Sequence, residues 1–364
     1  MKNIFISAGD PSADRHTANL MKELKIRVPD IKFFGIGGPL AENEGLISLA
    51  PFSEISVVGF WEVAKKFSYF TKLLDRSKHI LQSEKIDVYI PVDYPGFNLR
   101  LAKHAKHLKI PTIYYIAPQL WAWGKQRAKH LADCIDKILV VFPFEEDYFK
   151  NFGIDTKFVG HPLLDYPQFN LKFNTYSERH NEIAILPGSR KQELLHHKQF
   201  LNSLYESLSR KLPDYELVIA KSPNLPDSFY NSINSNFKIH HNSNELMLNA
   251  KAGIIKTGTS NLEAMLSGLP FGMFYMTSFL TYIMAKKMIN LPYISIVNIL
   301  KNAPVIPEFI QNKAKPIDIT NYISSLISNE EKYYEIQSTF DKLRQELGTS
   351  GAAKTAANEI IAYL

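Results

Sequence analysis

Two segments of this chain join an apolar strand to a small-residue turn that opens a helix. Ile183-Ala184-Ile185-Leu186 runs into Pro187-Gly188-Ser189-Arg190, and Ile254-Ile255-Lys256 runs into Thr257-Gly258-Thr259-Ser260-Asn261-Leu262-Glu263. Such a helix start leaves backbone N–H groups unpaired at the positive end of the helix dipole, which favours an anion such as a diphosphate. Arg190 adds a planar fork of donors that matches phosphate oxygens. Two such turns in one half of a chain point to a nucleotide diphosphate ligand. The Pro187–Arg190 turn is shorter than a Walker loop, so ATP hydrolysis is not supported. Glu263 has two readings. Ser260-x-x-Glu263 fits a capping box; alternatively, the carboxylate accepts hydrogen bonds from ribose hydroxyls one helical turn in from the diphosphate.

A second kind of chemistry sits in the first half. Asp93 ends the strand-like run Asp87-Val88-Tyr89-Ile90-Pro91-Val92 and precedes Tyr94-Pro95-Gly96-Phe97-Asn98. A carboxylate at the carboxyl tip of a strand is placed to act as a general base; the competing reading is that Asp93 and Asn98 hydrogen-bond the turn. Ser7-Ala8-Gly9-Asp10-Pro11-Ser12-Ala13-Asp14 follows the first strand. Gly9 allows close approach of a ligand and Ser12 can cap the next helix, though an ordinary strand–helix turn explains the same residues. Gly35-Ile36-Gly37-Gly38-Pro39 departs from the G-x-G-x-x-G fingerprint, which disfavours a dehydrogenase, and Pro39 reads as a first helical residue.

Aromatic residues cluster twice. In Ala117-Pro118-Gln119-Leu120-Trp121-Ala122-Trp123, followed by Lys125, Arg127 and Lys129, the tryptophans form either an apolar wall with basic edges or part of the core. From Val57 to Leu74, Phe60, Val63, Phe67, Phe70 and Leu74 share a helical stripe that Trp61 widens. That stripe is either a membrane-dipping or acyl-receiving surface or the buried face of a core helix. Asn298 and Glu308 follow apolar segments, as loop residues or as holders of a sugar. No Asp-x-Asp pair and no H-E-x-x-H spacing is present, so the expected mechanism uses neither metal nor cofactor.

These residues need elements to carry them. Strand-like runs at 3–7, 32–36, 88–92, 112–116, 137–142 and 157–159 alternate with helical patterns such as 13–24. The alternation resumes at 182–186, 216–219, 253–255 and 271–275, with a helical pattern at 192–211. Short apolar strands between helices imply an α/β fold of parallel, doubly wound sheets. The aperiodic stretch 162–181 separates two such sets. The expected organisation is a first domain over 1–168, a second over 169–340 and a helical tail over 341–364. Two doubly wound domains make a cleft, and ligands of such sheets bind beyond the carboxyl ends of the strands.

Bulk properties narrow the class. With 364 residues, 45% hydrophobic and 21% charged, the chain is globular and long enough for two cores. The net charge of +6 suits a phosphorylated substrate or an anionic membrane surface. No run of five or six basic residues suggests a nucleic-acid arm. The single cysteine excludes an internal disulfide and fits a reducing compartment. The chain opens directly on a strand-like run without a signal-peptide pattern, and its most apolar stretch, 269–285, is interrupted by Pro270 and Gly272. A cytoplasmic chain without a transmembrane span is expected.

Taken in order, the segments SAGDPSAD, GIGGP, VVGFWEV, VDYPGFN, IAPQLWAW, FPFE, VGHP, LPGSR and GTSNLE, with the Asn298/Glu308 region, resemble the lipid A disaccharide synthase family along almost the whole chain. The resemblance implies two Rossmann-like domains of the GT-B type, with a C-terminal helix crossing back to the first. It implies an inverting transfer in which 2,3-diacylglucosamine leaves UDP and joins the 6-hydroxyl of 2,3-diacylglucosamine 1-phosphate. The family's essential aspartate falls on Asp93 and its essential arginine on Arg190. Its UDP-contacting loop falls on Thr257 to Glu263, which favours the ribose role of Glu263. Ser189, Asn298 and Glu308 join the donor side, and Gly9, Ser12, Asp14, Gly37, Gly38, Asn98, Gln119 and Trp121 the acceptor side. The 57–74 segment corresponds to the family's membrane-associating surface, which implies a peripheral position on the inner face of the bacterial inner membrane. Asp10 and Ala13 stand where the family usually has Glu and Gly, and Gly96 stands where it often has a second carboxylate. The rival readings are another enzyme of this fold, such as a UDP-N-acetylglucosamine 2-epimerase, and a non-catalytic nucleotide-sugar or lipid-binding protein.

Overall fold

The structure is a computed structural model that describes residues 1–55, 67–278, 282–283, 286 and 291–364. The chain forms two compact units, Met1–Asp165 with Leu347–Leu364, and Tyr166–Glu346.

The first unit is built on a parallel sheet of β1 (Lys2–Ala8), β2 (Ile31–Ile36), β3 (Leu46–Ser48), β4 (Val88–Val92), β5 (Ile113–Tyr115), β6 (Lys137–Val140) and β7 (Asp155–Phe158). Its order is β3-β2-β1-β4-β5-β6-β7. The central strands are covered on both faces, which is why they read as unbroken apolar runs: Ile4, Phe5, Ile6, Val88, Tyr89 and Ile90 have no exposed surface. The helices are α1 (Pro11–Arg27), α2 (Pro39–Asn43), α3 (Phe52–Ile55), α4 (Phe67–Ser83), α5 (Pro95–His107), α6 (Leu120–Trp123), α7 (Lys125–Ala132) and α8 (Pro143–Lys150). Pro39 is the first residue of α2, as the sequence suggests.

The second unit repeats the scheme. Its helices are α9 (Lys191–Lys211), α10 (Asp227–Ile233), α11 (Ser243–Asn249), α12 (Thr259–Leu266), α13 (Ile296–Lys301), α14 (Pro316–Ile327) and α15 (Glu330–Glu346). Its strands are β8 (His180–Leu186), β9 (Glu216–Ala220), β10 (Lys238–His240), β11 (Ala250–Lys256), β12 (Phe271–Tyr275) and β13 (Glu308–Ile310), in the parallel order β10-β9-β8-β11-β12-β13. The chain then returns to the first unit. Helix α16 (Ala352–Ile361) packs its alanine face, Ala356 and Ala357, into the core beneath β1. Asp165 holds its start by accepting from the N–H groups of Gly351, Ala352 and Ala353 at 2.5–3.1 Å.

Both sheets have a point where the winding reverses. From β1 the chain builds outward through β2 and β3, then resumes on the other side of β1 with β4. From β8 it builds through β9 and β10, then resumes beside β8 with β11. The crevice at such a reversal, outside the carboxyl ends of the strands, is the ligand position of open α/β sheets.

Three strands escape the sequence pattern: β3, β10 and β13. Each is three residues long and lies at a sheet edge. Three residues carry too little periodicity to stand out. The strand expected over 112–116 stops at Tyr115, because Ile116 turns to φ +60. Among the described residues no helix is long and apolar enough to cross a membrane.

Candidate active site

At the reversal of the first sheet, the turns after β1 and β4 lie side by side, with Ala8 in register with Val92. Asp93 follows β4 directly. It and Tyr94 both adopt left-handed backbone, at φ +46 and +51, an uncommon pair for non-glycine residues. The fold over-determines this bend. The Asp93 carbonyl accepts from Asn98 Nδ2 at 2.6 Å and from the Tyr114 hydroxyl at 2.5 Å. Asn98 is fully buried; its Oδ1 accepts from Ser7 Oγ at 2.6 Å and from the Tyr89 hydroxyl at 3.1 Å. A buried polar network thus pins β1, β4, β5 and α5 around one backbone bend, so that the Asp93 carboxyl is presented at the strand tip.

Burial pushes that carboxyl up from 3.8 to about 6; the Asp10 carboxylate adds to the rise, and the Tyr94 N–H opposes it. A carboxyl in this range exchanges a proton near neutral pH. The Tyr94 ring closes over Gly9, where a Cβ would fall 2.5 Å from ring carbons; only glycine fits there. His16 and His161, both buried, are driven by desolvation to about 4 and about 3, so they are neutral at physiological pH.

Several residues expected at the acceptor side turn out to serve the fold. Ser12 does not cap α1: the helix starts at Pro11, and Asp10 is the cap, accepting from the N–H groups of Ser12 and Ala13 at 2.8 and 2.9 Å. Asp14 is buried, and its carboxylate accepts from the N–H groups of Gly38, Leu40 and Ala41 at the start of α2. A Cβ on Gly38 would lie 2.5 Å from Asp14 Oδ2, and one on Gly37 would lie 2.6 Å from Leu46, so both glycines make room for internal packing. Asn98 positions Asp93 and has no exposed surface for a ligand. Gln119 is exposed at the start of α6. Trp121 is half-buried and donates from Nε1 to Glu145 Oε1 at 2.9 Å. Of the membrane stripe, Phe60, Trp61, Val63 and the Phe67 side chain lie outside the described residues. Phe70 and Leu74 are half-buried against the core, so these two face inward rather than outward.

At the reversal of the second sheet the two turns named first in the sequence stand next to each other, because β8 and β11 are paired, Leu186 with Ile255. Helix α9 starts after Arg190 and α12 after Gly258, and neither has a side-chain cap. Gly258 sits at φ +146, in backbone that favours glycine. Ser189, Arg190, Gly258 and Thr259 are exposed, and Thr257, Ser260 and Glu263 are half-buried. A capping box at Ser260 and Glu263 is not formed: with Gly258 as the cap, Ser260 is already the second residue of α12 and Glu263 the fifth. Glu193 ties the two turns by charge. Its Oε1 accepts from Arg190 at 3.2 Å and pairs with Lys256 Nζ at 3.3 Å. Two cations around one carboxylate leave a net positive charge at two uncapped helix starts. His197, buried beneath, lies 3.2 Å from the carbonyl oxygens of both Pro187 and Met276 and braces the first turn.

Asn298 and Glu308 are tied to each other. Glu308 accepts from the N–H groups of Ile294 and Ser295 and from Asn298 Nδ2 at 2.9–3.0 Å, at the start of α13. Asn298 is buried and also bonds both backbone groups of Ile306. These two order the loop around a cavity of about 480 Å3 that includes Tyr293 and Gln311. Among the described residues no cluster of three or more His, Cys, Asp or Glu is placed to hold a metal ion.

Tyr94, Tyr114, Glu193, Lys256 and His197 were not singled out by sequence, and Asp10 was noted only as a departure from the family pattern. Asp10-Pro11 at a helix start and the spacing of Arg190 and Glu193, one helical turn apart, were the available signals.

The family model described as lipid-A-disaccharide synthetase matches residues 4–361. Lipid-A-disaccharide synthase 1 of Legionella pneumophila (strain Lens) is 33% identical over 379 residues, covering 99% of this chain and 97% of that protein. Among solved structures, UDP-GlcNAc 2-epimerase from Neisseria meningitidis bound to UDP-GlcNAc is similar with a TM-score of 0.64 at 14% identity, covering 100% of each chain. CalG4, the calicheamicin glycosyltransferase, is similar with a TM-score of 0.65 at 14% identity, covering 100% of this chain and 98% of that one. At those identities the two structures share the fold, two Rossmann-like domains of the GT-B kind, and it is common to an epimerase and a transferase. The sequence match separates what the fold does not: this chain belongs to the lipid-A-disaccharide synthetase family.

Proposed function

We propose that the protein is an inverting glycosyltransferase that joins UDP-2,3-diacylglucosamine to 2,3-diacylglucosamine 1-phosphate, forming a β-1,6-linked disaccharide 1-phosphate and UDP. The observation that carries the reading is Asp93: a buried carboxyl raised to about 6, held by a rigid bend at a sheet reversal, in a chain of this family. Asp93 takes the proton from the acceptor 6-hydroxyl as that oxygen bonds to the anomeric carbon. The bond from the anomeric carbon to the diphosphate oxygen breaks on the opposite face, and UDP leaves with the electron pair. The Arg190 guanidinium and the N–H groups at the start of α12 stabilise the charge that builds on the diphosphate. Glu193 holds Arg190 in place until the diphosphate takes over that partner. Glu263, the fifth residue of α12, accepts from the ribose hydroxyls.

Both sugars carry acyl chains, so the enzyme meets them at a lipid surface. The net charge of +6 and the aromatic and lysine residues of 57–74 support a peripheral contact with the inner face of the inner membrane. Mass spectrometry of products from UDP-diacylglucosamine and diacylglucosamine 1-phosphate tests the reading. An acylated disaccharide phosphate supports it. Conversion of UDP-N-acetylglucosamine alone to its 2-epimer, with no disaccharide, contradicts it.

A further inference from the structure

We infer that a groove on the first unit, opening two residues beyond Asp93, seats the acceptor's phosphate together with one of its acyl chains. The inference rests on the transferase reading above and names the part of the acceptor site that reading leaves open. The groove encloses about 330 Å3 between α5 and the α6–α7 segment. Its floor is apolar, made by Leu99 and the fully buried Leu120. Its rim carries His130 and two cations, Arg100 and Lys103.

Pro95, Leu99 and Lys103 recur every four residues, as do Gly96 and Arg100, so one face of α5 supplies both the apolar and the cationic parts. Side chains on a helix lean toward its N-terminus, so Arg100 covers the turn occupied by Gly96. From Pro95, the first residue of α5, to Arg100 the helix rises roughly 7.5 Å, Asp93 lies two residues before that start, and the lean of Arg100 shortens the gap. A sugar with its reacting hydroxyl at one end and its phosphate at the other bridges such a span.

Charge picks out the same spot. One turn further along α5, Lys106 is neutralised by Asp136 at 2.7 Å, and on α7 His130 faces Asp133 at 3.8 Å. Arg100 and Lys103 are exposed and have no ion-pair partner among the described residues. Two cations without an ion-pair partner among the described residues, over an apolar floor, complement an amphiphile with a phosphate head. The mouth is kept open by Gly96, where a Cβ would meet nothing within 4 Å.

The test is steady-state kinetics of the whole protein in detergent micelles, with UDP-diacylglucosamine as donor. The acceptor is either diacylglucosamine 1-phosphate or its dephosphorylated analogue. Arg100→Ala and Lys103→Ala should each raise KM for the phosphorylated acceptor roughly tenfold or more, the worth of a hydrogen bond to a charged group, while the donor KM stays put. With the dephosphorylated acceptor the variants and the parent should share one KM. Gly96→Leu, whose Cβ falls in open space at the groove lining, should raise KM for both acceptors. Thermal unfolding checks that these exposed substitutions leave the fold intact. Equal losses on both acceptors, or an unchanged KM for the phosphorylated one, overturn the inference. So does an effect seen only as weaker sedimentation with phosphatidylglycerol vesicles, which would assign the rim to membrane head groups. If the parent protein makes disaccharide and the variants are indifferent, the groove assignment alone fails. If the parent makes none, the transferase reading fails first and the groove assignment with it.

Discussion

Asp93 is held where ionisation is costly, and the general-base role proposed for it draws on that same cost. Because burial raises its folded-state value above the unfolded one, the folded protein binds its proton more tightly. The stabilising contribution is full below about 3.8 and is lost as pH rises through about 6. The general base is the ionised form, so kcat/KM should fall on an acid limb centred near 6. Asn tolerates the left-handed backbone and can still accept from the Tyr94 N–H. Asp93→Asn should therefore lower kcat by about 10²–10⁴-fold and remove that limb, while raising unfolding stability at neutral pH by about 1–3 kcal/mol. Urea unfolding and a pH–rate profile of the variant check both halves. Equal stability with intact activity would refute the assignment. This residue was legible in the sequence because a carboxylate at a strand tip is a local pattern. Its supports, Tyr114 and Ser7, were not, since they come from strands that only the folded sheet brings alongside.

At the level of elements, both turn pairs owe their position to the strand order. The anion-ready turns after β8 and β11 were readable as separate motifs, and their adjacency needed the pairing of β8 with β11. Gly258 makes the second turn possible. Gly258→Ala forces a Cβ into unfavourable backbone at an otherwise open position, which should cost about 1–3 kcal/mol and weaken UDP binding. Calorimetric titration with UDP, beside urea unfolding, measures the two effects. Helix starts were the least readable feature: Asp10 rather than Ser12 caps α1, and Gly258 rather than Ser260 caps α12, because the true first turn depends on where the preceding strand ends. In the first unit, Glu145 ties α6 to the start of α8. Its carboxyl accepts from Trp121 Nε1 and from the N–H groups of Val141 and Phe142, yet burial outweighs those bonds and lifts it from 4.5 to about 7. Its contribution to stability is therefore lost as pH rises through about 7. Glu145→Gln should flatten the decline in unfolding stability between pH 4.5 and about 7, measured as urea midpoints across that range. An unchanged slope would show that Glu145 is not the titrating group.

Across the whole molecule, the alternation of short apolar strands with helices made the α/β class readable, and the two sheet reversals are where that class does its chemistry. The start of α16, on its return to the first unit, is held by one carboxylate, Asp165, which accepts from three N–H groups. Asp165→Ala should cost about 1–2 kcal/mol, seen as a lower urea midpoint. UDP binding should raise the melting temperature of the parent and of Asp93→Asn alike, because the turns proposed to hold the diphosphate lie on the second unit. The central claim is that Asp93 deprotonates an acceptor attacking a UDP-held sugar. The measurement that tests it most directly is single-turnover product analysis of the parent and Asp93→Asn at saturating UDP-diacylglucosamine and diacylglucosamine 1-phosphate. The account predicts rapid disaccharide phosphate from the parent and almost none from the variant, with UDP affinity equal in both. Disaccharide formed by the variant at the parent's rate would contradict it.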